Sequence, residues 1–525
     1  MTPKNIILFI CNWAPHTAYQ ALQDRCADIP YEIKMVRLPC TGRVSKSLLL
    51  KAFEMGADGV AVVGCSQGAC RYGSGTDIAA TNIEDTGNIL EILGLGRSRL
   101  RHETCLPEDA DALLHFLKSF SEEIGTMGKT PVSPMTEPRP TEPVTVEEII
   151  SKHDVYACQD CGKCSSTCPL TLIGKPFSPR SVANAIIAGH VNSPQVKEDI
   201  WSCLTCGICY DRCPSAVNFP EFIRDIRFFI TSGGQIPRET HDGFFHALMR
   251  TMTSPNLKPR KWNWLPNKIR TDDAGKILFF GGCAPYFDRF FKHQQGVNTA
   301  AILEDSLRLM NFFDIRPALL EHERCCGHDL LWSGDREHFL KLAALNVEAI
   351  HRKNIEEVVT ACPECYRTLA HDYPENGISI DFKVTHIYEL LQREISKGGI
   401  EFKKIAKHIT FQDSCRMSRL DDNADLPRHL LSRLKPEGFT EMQEHGRAAV
   451  CCGNCAWIGC DSYSKALQVK RLRQAKETGS DLLVTACPKC QIHLGCAMED
   501  PFLGDELRIQ MKDLTGIIAE TITWE

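Results

Sequence analysis

The chain has 525 residues, 43% of them hydrophobic and 24% charged, with 60 Lys plus Arg against 66 Asp plus Glu and a net charge of -6. That balance gives no broad electrostatic reason to bind nucleic acid or an anionic membrane, and no apolar run reaches the roughly 20 residues that cross a bilayer. Length alone predicts roughly three or four domains, and the absence of a signal-type cleavage pattern before the strand-like Asn5 to Ile10 predicts a cytoplasmic location.

The chain carries 27 cysteines. Disulfide frameworks belong to small secreted domains that lack a core, and this chain is neither small nor marked for secretion. Clustered cysteines in a reducing compartment read instead as metal ligands, because the metal captures the thiolate and its binding energy offsets the crowding.

In chain order, the first block places thiols at strand ends. Ile6 to Ile10 ends at Cys11, Glu32 to Leu38 ends before Cys40, and Gly59 to Val63 ends at Gly64-Cys65. Parallel strands would present these thiols to one edge, and with Cys70 of GCSQGAC they supply the four ligands of a 2Fe-2S cluster. The other reading of this block is a cluster-free flavodoxin-like module with incidental thiols. Gly94-Leu95-Gly96 is too short for a dinucleotide fingerprint.

Thr130 to Glu142 is rich in Pro, Thr and Glu and reads as an extended linker. Beyond it, Cys158, Cys161, Cys164 and Cys168-Pro169 form C-x2-C-x2-C-x3-C-P, and Cys203, Cys206, Cys209 and Cys213-Pro214 repeat the motif. Three thiolates of such a run wrap one cluster while the fourth reaches the other cluster of the pair. The expected sets are Cys158, Cys161, Cys164 with Cys213, and Cys203, Cys206, Cys209 with Cys168, holding two cubane 4Fe-4S clusters. Paired zinc knuckles are the alternative. Ser181 to His190 reads as helical, and Phe219, Phe222, Ile226 and Phe229 mark a helix packed on the clusters. The block is similar to an alpha-helical ferredoxin domain.

Ser254 to Asp273 carries Pro255, Pro259 and Pro266 without periodicity and reads as a connection. The rest is an internal duplication: KILFFGGC against HITFQDSC, and VVTACPEC against LLVTACPKC, recur in the same order. Lys276 to Phe280, Glu357 to Thr360, His408 to Phe411 and Asp481 to Thr485 read as buried strands. Leu303, Leu307 and Met310, like Leu430 and Leu434, have helical spacing. Each half offers five thiols: Cys283, Cys325, Cys326, Cys362 and Cys365 in the first, and Cys415, Cys451, Cys452, Cys487 and Cys490 in the second. Five is one more than a tetrahedral zinc or an ordinary cubane cluster needs. In Cys-Cys-Gly the adjacent side chains converge only through a tight turn, which Gly327 and Gly453 permit.

With these phrases the chain from Val144 onward resembles the cysteine-rich CCG domain of the heterodisulfide reductase family, in tandem, behind a domain like that enzyme's ferredoxin-type C subunit. Cys11-Asn12-Trp13, RLPCTGRV and KAFEMGADGVAVVGC resemble the delta subunit of methyl-viologen-reducing hydrogenase, with Ala14 standing where relatives often carry a second Cys. The gap between Cys283 and Cys325 is 41 residues against 35 between Cys415 and Cys451, which predicts a longer loop in the first half.

The resemblance implies one 2Fe-2S cluster, two cubane 4Fe-4S clusters and two noncubane 4Fe-4S clusters, each of the last held by one five-cysteine set, with a disulfide small-molecule substrate cleaved between them. It implies as partners a flavin-containing A-like subunit and a hydrogenase or formate dehydrogenase-like electron donor, in an anaerobic, electron-bifurcating complex. Two other readings are an iron-sulfur subunit of a quinone-linked hydroxyacid or succinate-type oxidoreductase and a non-catalytic electron relay.

The expected fold is multidomain α/β. It comprises a flavodoxin-like or Rossmann-like domain (1–129), a linker (130–146), an alpha-helical ferredoxin domain (147–240), a connecting segment (241–273) and duplicated CCG domains (274–400 and 401–525). Cys26, Cys105, Cys455, Cys460 and Cys496 remain as small packing residues, although Cys455 lies close enough to Cys452 for ligand exchange. His328 is a candidate proton donor to a product thiolate.

Overall fold

The computed structural model describes residues 4–134, 144–295, 297–503 and 505–524. Most of the expected linker therefore lies outside the described residues. The described chain forms two compact units, one of 4–134 with His241–Asn263 and the other of 144–240 with 264–524.

In the first unit four strands, β1 (Ile6–Cys11), β2 (Ile33–Leu38), β3 (Gly59–Cys65) and β4 (Leu100–Cys105), form a parallel sheet in the order β2-β1-β3-β4. β3 reads GVAVVGC and is buried along its whole length, as a central parallel strand covered on both faces must be. The helices Ala14–Asp24 and Ala110–Met127 pack Ala18, Leu22, Leu113 and Leu117 against Ile6, Leu8 and Ile10.

The unit is discontinuous in sequence. The expected connecting segment is not a plain connection, because its first part folds as the helix Phe244–Thr251 and belongs to this unit. Arg250 Nε reaches Glu54 Oε1 at 2.6 Å, Ser47 Oγ donates to the Asp242 carbonyl at 2.5 Å, and Arg260 N–H donates to the Ile92 carbonyl at 2.7 Å.

The second unit begins with short helices around the ferredoxin-type cysteines. Pro179–Ile187 occupies the expected helical insert, and Phe219–Ser232 carries its apolar face inward. The duplicated region builds two parallel sheets. The first is β5 (Ile277–Phe280), β6 (Glu357–Thr360) and β7 (Lys383–His386), in chain order. The second is β8 (Ile405–Gln412), β9 (Pro436–Phe439), β10 (Leu482–Thr485) and β11 (Gln510–Asp513), ordered β11-β10-β8-β9. Cys283 and Cys362 follow β5 and β6, and Cys415 and Cys487 follow β8 and β10, so equivalent thiols emerge at the carboxyl ends of equivalent strands. No helix among the described residues is long and apolar enough to cross a membrane.

Candidate metal centres

All 27 cysteines are free thiols. In the first unit Cys11 Sγ lies 3.5 Å from Cys65 Sγ, and Cys40 Sγ lies 3.8 Å from Cys70 Sγ. Burial and the facing Cys11 thiol push Cys65 up to about 12, because a thiolate there would lose its hydration and face a second sulfur. Gly75 sits against Cys40 and Cys70, and a Cβ at that position would collide with both sulfurs. Two facing thiol pairs, one of them set against a backbone without a side chain, fit a cluster-sized group. Beside them Arg71 stacks on Trp13, with Cζ 3.9 Å from the ring centroid.

In the second unit Cys168, Cys203, Cys206 and Cys209 line one cavity, walled by Leu204, Ile208 and Phe219. This is the crossed set that the motif spacing predicts. Cys158 and Cys164 are neighbours in the other set, whereas Cys161 is exposed, Cys213 is half-buried, and no sulfur contact of these two is seen among the described residues.

The first five-cysteine set, Cys283, Cys325, Cys326, Cys362 and Cys365, lines a single cavity with Phe287 as an apolar wall. Cys326 and Cys365 stand 3.6 Å apart. Asn346 Nδ2 donates to the Cys325 carbonyl and Tyr373 O–H to the Cys326 carbonyl, both at 2.9 Å, which pins the turn that aims adjacent thiols inward. Gly327 completes that turn at φ +90 and Gly453 completes its counterpart at φ +100.

In the second set Cys451 faces Cys415 and Cys452, while Cys490 faces Cys452 and Cys487. Hydrogen bonds from Cys451 and Cys490 bring Cys452 down to about 6, and the His493 ring nitrogen Nδ1 lies 3.2 Å from its sulfur. Crowding pushes most of the other thiols in both sets up, so a thiol-only donor set of this density fits a group that supplies positive charge.

Between the two sets lies a buried charged network that the cysteine spacing did not disclose. Glu364 and Lys489 occupy the same position in the two Cys-Pro-x-Cys phrases, and Lys489 Nζ reaches Glu364 Oε2 at 2.7 Å and also Asp329 Oδ1. Against the opposing effect of burial, Lys489 and the hydrogen-bonded His328 hold the Asp329 carboxyl well below the usual range. Glu364 is lowered against the same opposition by His328 and Lys489. His328 Nδ1 lies 2.9 Å from Asp329 Oδ1, and Arg416 Nε donates to His328 Nε2 at 3.2 Å. His328, Asp329 and Glu364 also converge as a three-residue donor set, but the Lys489 ammonium already bonds the two carboxylates of that set.

Arg416 stacks on Trp332, 4.1 Å from its centroid, and reaches Cys455 Sγ at 3.0 Å. Cys455 is thus a partner of a guanidinium, while Cys105 hydrogen-bonds to the Leu106 carbonyl, Cys496 accepts from Lys465, and Cys26 and Cys460 are exposed. The signal that could have exposed the network was the charge at the third position of each Cys-Pro-x-Cys: Glu in one copy and Lys in the other.

These sites define a multidomain iron-sulfur protein that joins three domain types. Residues 6–128 match the methyl-viologen-reducing hydrogenase delta subunit family, 147–217 the 4Fe-4S dicluster domain, and 277–370 with 409–495 the cysteine-rich domain. Among curated proteins, the chain is 29% identical over 422 residues to the D subunit of the dihydromethanophenazine:CoB--CoM heterodisulfide reductase of Methanosarcina barkeri, covering 78% of this chain and 87% of that one. It is 29% identical to the corresponding D subunit of Methanosarcina mazei, covering 54% and 68%. It is 24% identical to the B subunit of the fumarate reductase (CoM/CoB) of Methanothermobacter marburgensis, covering 70% and 73%. The chain thus joins a domain matching the hydrogenase delta-subunit family to a region similar to heterodisulfide reductase D subunits, and the relatives named above are oxidoreductase subunits.

Proposed function

We propose that this chain is the disulfide-reducing iron-sulfur component of a heterodisulfide-reductase-like, flavin-based electron-bifurcating complex. The observation that carries the reading is the pair of five-thiol sets at equivalent strand ends, joined across the duplication by the buried Glu364–Lys489 pair. In this reading Cys283, Cys325, Cys326, Cys362 and Cys365 hold one noncubane 4Fe-4S cluster, and Cys415, Cys451, Cys452, Cys487 and Cys490 hold the other. Cys158, Cys161, Cys164 with Cys213, and Cys203, Cys206, Cys209 with Cys168, hold two cubane clusters, and Cys11, Cys40, Cys65 and Cys70 hold a 2Fe-2S cluster. When bound, these groups supply one-electron redox capacity and sites for sulfur.

Reduction of a disulfide consumes two electrons and two protons, breaks one S–S bond and leaves two thiols. The delta-type domain supports a flavin-containing A-like subunit and a hydrogenase or formate dehydrogenase-like donor as partners, in the cytoplasm of an anaerobe. Anaerobically purified complex should release two thiols per disulfide with a reduced dye as donor, and iron analysis should approach about 18 iron atoms per chain. Intact clusters with no thiol release from any disulfide would exclude the reading. A quinone-linked role, favoured by the 22% identity to an EtfAB:quinone oxidoreductase of Syntrophomonas wolfei, would instead show dye-dependent quinone reduction.

A further inference from the structure

The two ferredoxin-type cysteine sets sit in opposite environments. Cys168, Cys203, Cys206 and Cys209 are all buried, whereas Cys158, Cys164 and Cys213 are half-buried and Cys161 is exposed. An iron-sulfur centre becomes more negative on reduction, so burial by itself would make the Cys203-type centre the harder of the two to reduce.

Three arginines oppose that effect. Each donates to a carbonyl of the Cys203 to Cys206 loop: Arg227 Nη2 to Cys203 at 2.5 Å, Arg416 Nη1 to Thr205 at 2.7 Å and Arg419 Nε to Cys206 at 2.6 Å. They come from separate segments, Arg227 from the helix Phe219–Ser232 and the other two from the turn Arg416–Leu420 after Cys415. Their relative exposures are 0%, 2% and 5%, so water does not screen them. Arg227 donates to the carbonyls of Ile200, Cys203 and Trp332, and Arg419 to those of Cys206, Arg447 and Ala449, so among the described residues neither guanidinium is hydrogen-bonded to a carboxylate. Glu364, Asp372 and Asp413 lie in their wider surroundings. At the other set, Arg180 reaches the Asp160 carbonyl only at 3.4 Å and is also paired with the Asp160 carboxylate.

We propose that Arg227, Arg416 and Arg419 form a cationic clamp that makes the Cys168, Cys203, Cys206 and Cys209 centre the higher-potential member of the ferredoxin-type pair. The inference rests on the reading that both sets hold 4Fe-4S clusters, and it assigns the three arginines as positioning and tuning residues for the cluster loop. Such a centre accepts an electron from its exposed neighbour downhill, and the neighbour loses the same electron.

The test is an EPR-monitored redox titration of the iron-loaded full chain, wild type against Arg419→Gln, Arg419→Lys, Arg227→Gln and Arg227→Lys. Wild type should show two cubane-type signals with separate midpoints. Each Gln variant should lower the higher midpoint by on the order of tenfold in the reduction equilibrium, about 59 mV for one electron, and each Lys variant should stay near wild type.

A shift confined to the lower-potential signal, equal shifts for Gln and Lys, or no shift would overturn the clamp. Loss of iron in both Gln variants would also overturn it, by showing a purely structural role. Wild type without two cubane-type signals would defeat the underlying reading instead, which separates the two failures.

Discussion

The two halves of the duplicated region use the same cysteine phrase on the same parallel strand ends, yet the residues beside the cysteines oppose one another. The first half has Ala284, Asp329 and Glu364 where the second has Arg416, Cys455 and Lys489. The acids of one copy are bonded to bases of the other, through Lys489 to Asp329 and Glu364 and through Arg416 to the His328 that bonds Asp329. Duplication kept the thiols, and divergence beside them made the copies complementary rather than interchangeable. A buried ion pair seldom adds stability over an apolar pair, so its best use here is register: it holds two Cys-Pro-x-Cys loops from different sheets face to face.

The largest expected effect separates ligands from bystanders. Cys326→Ala and Cys452→Ala should each abolish the centre of their own half, read as loss of iron, sulfide and the corresponding EPR signal. Cys496→Ala should leave all three unchanged, because its thiol only accepts from Lys465. Retention of every signal in Cys452→Ala would break the equivalence of the halves.

Next comes the complementarity itself. Lys489→Met leaves Asp329 and Glu364 buried without their shared cation and should cost about 3–5 kcal/mol in denaturant unfolding. The double exchange Glu364→Lys with Lys489→Glu should recover only part of that loss, because Asp329 then faces a second carboxylate. Full recovery would reduce the network to a simple pair.

A smaller effect distinguishes the two Cys-Cys-Gly turns. A Cβ at Gly453 would meet the Ser464 carbonyl oxygen at 2.7 Å, and backbone cannot yield, whereas at Gly327 the nearest atom is Phe339 Cδ2 at 2.9 Å on a ring that can tilt. Both positions also carry left-handed strain of about 1–2 kcal/mol for a non-glycine residue. Gly453→Ala should therefore lower the melting temperature more than Gly327→Ala, and the reverse order would show that the Phe339 packing is the more rigid.

Much of this architecture was legible because chemistry imposes spacing. The ten duplicated thiols and the crossed set of Cys168 with Cys203, Cys206 and Cys209 could be read from intervals, and the central strands from unbroken apolar runs such as Val358 to Thr360. Of the edge strands, β2 and β5 were legible from their apolar residues, but β4, β7, β9 and β11 were not. β4 reads LRHETC, β9 PEGF and β11 QMKD, because an edge exposed to water tolerates charge, proline and glycine. The return of Phe244–Thr251 to the first unit was hidden for another reason: a helix that packs on a distant segment carries no local mark of its destination. The Arg416 contacts were hidden in the same way, since Thr205 lies far away in sequence.

The smallest effect concerns pH at the contact between the halves. Burial, with repulsion from Asp372, pushes Asp421 up to about 7, although Arg367 lies 3.7 Å from its Oδ1 and favours the charged form. In the unfolded chain the same carboxyl ionises near its ordinary value of 3.8. The folded state therefore binds the proton more tightly, so the contribution of this group to stability is fully present at low pH and is lost as pH rises toward about 7. The slope from one such group is at most about 1.4 kcal/mol per pH unit. Asp421→Asn, which stays neutral in both states, should remove that part of the decline in urea midpoint between pH 5 and pH 8. An unchanged pH profile in the variant would mean that Arg367 keeps Asp421 ionised, and would add one more anion to the second half's side of the comparison.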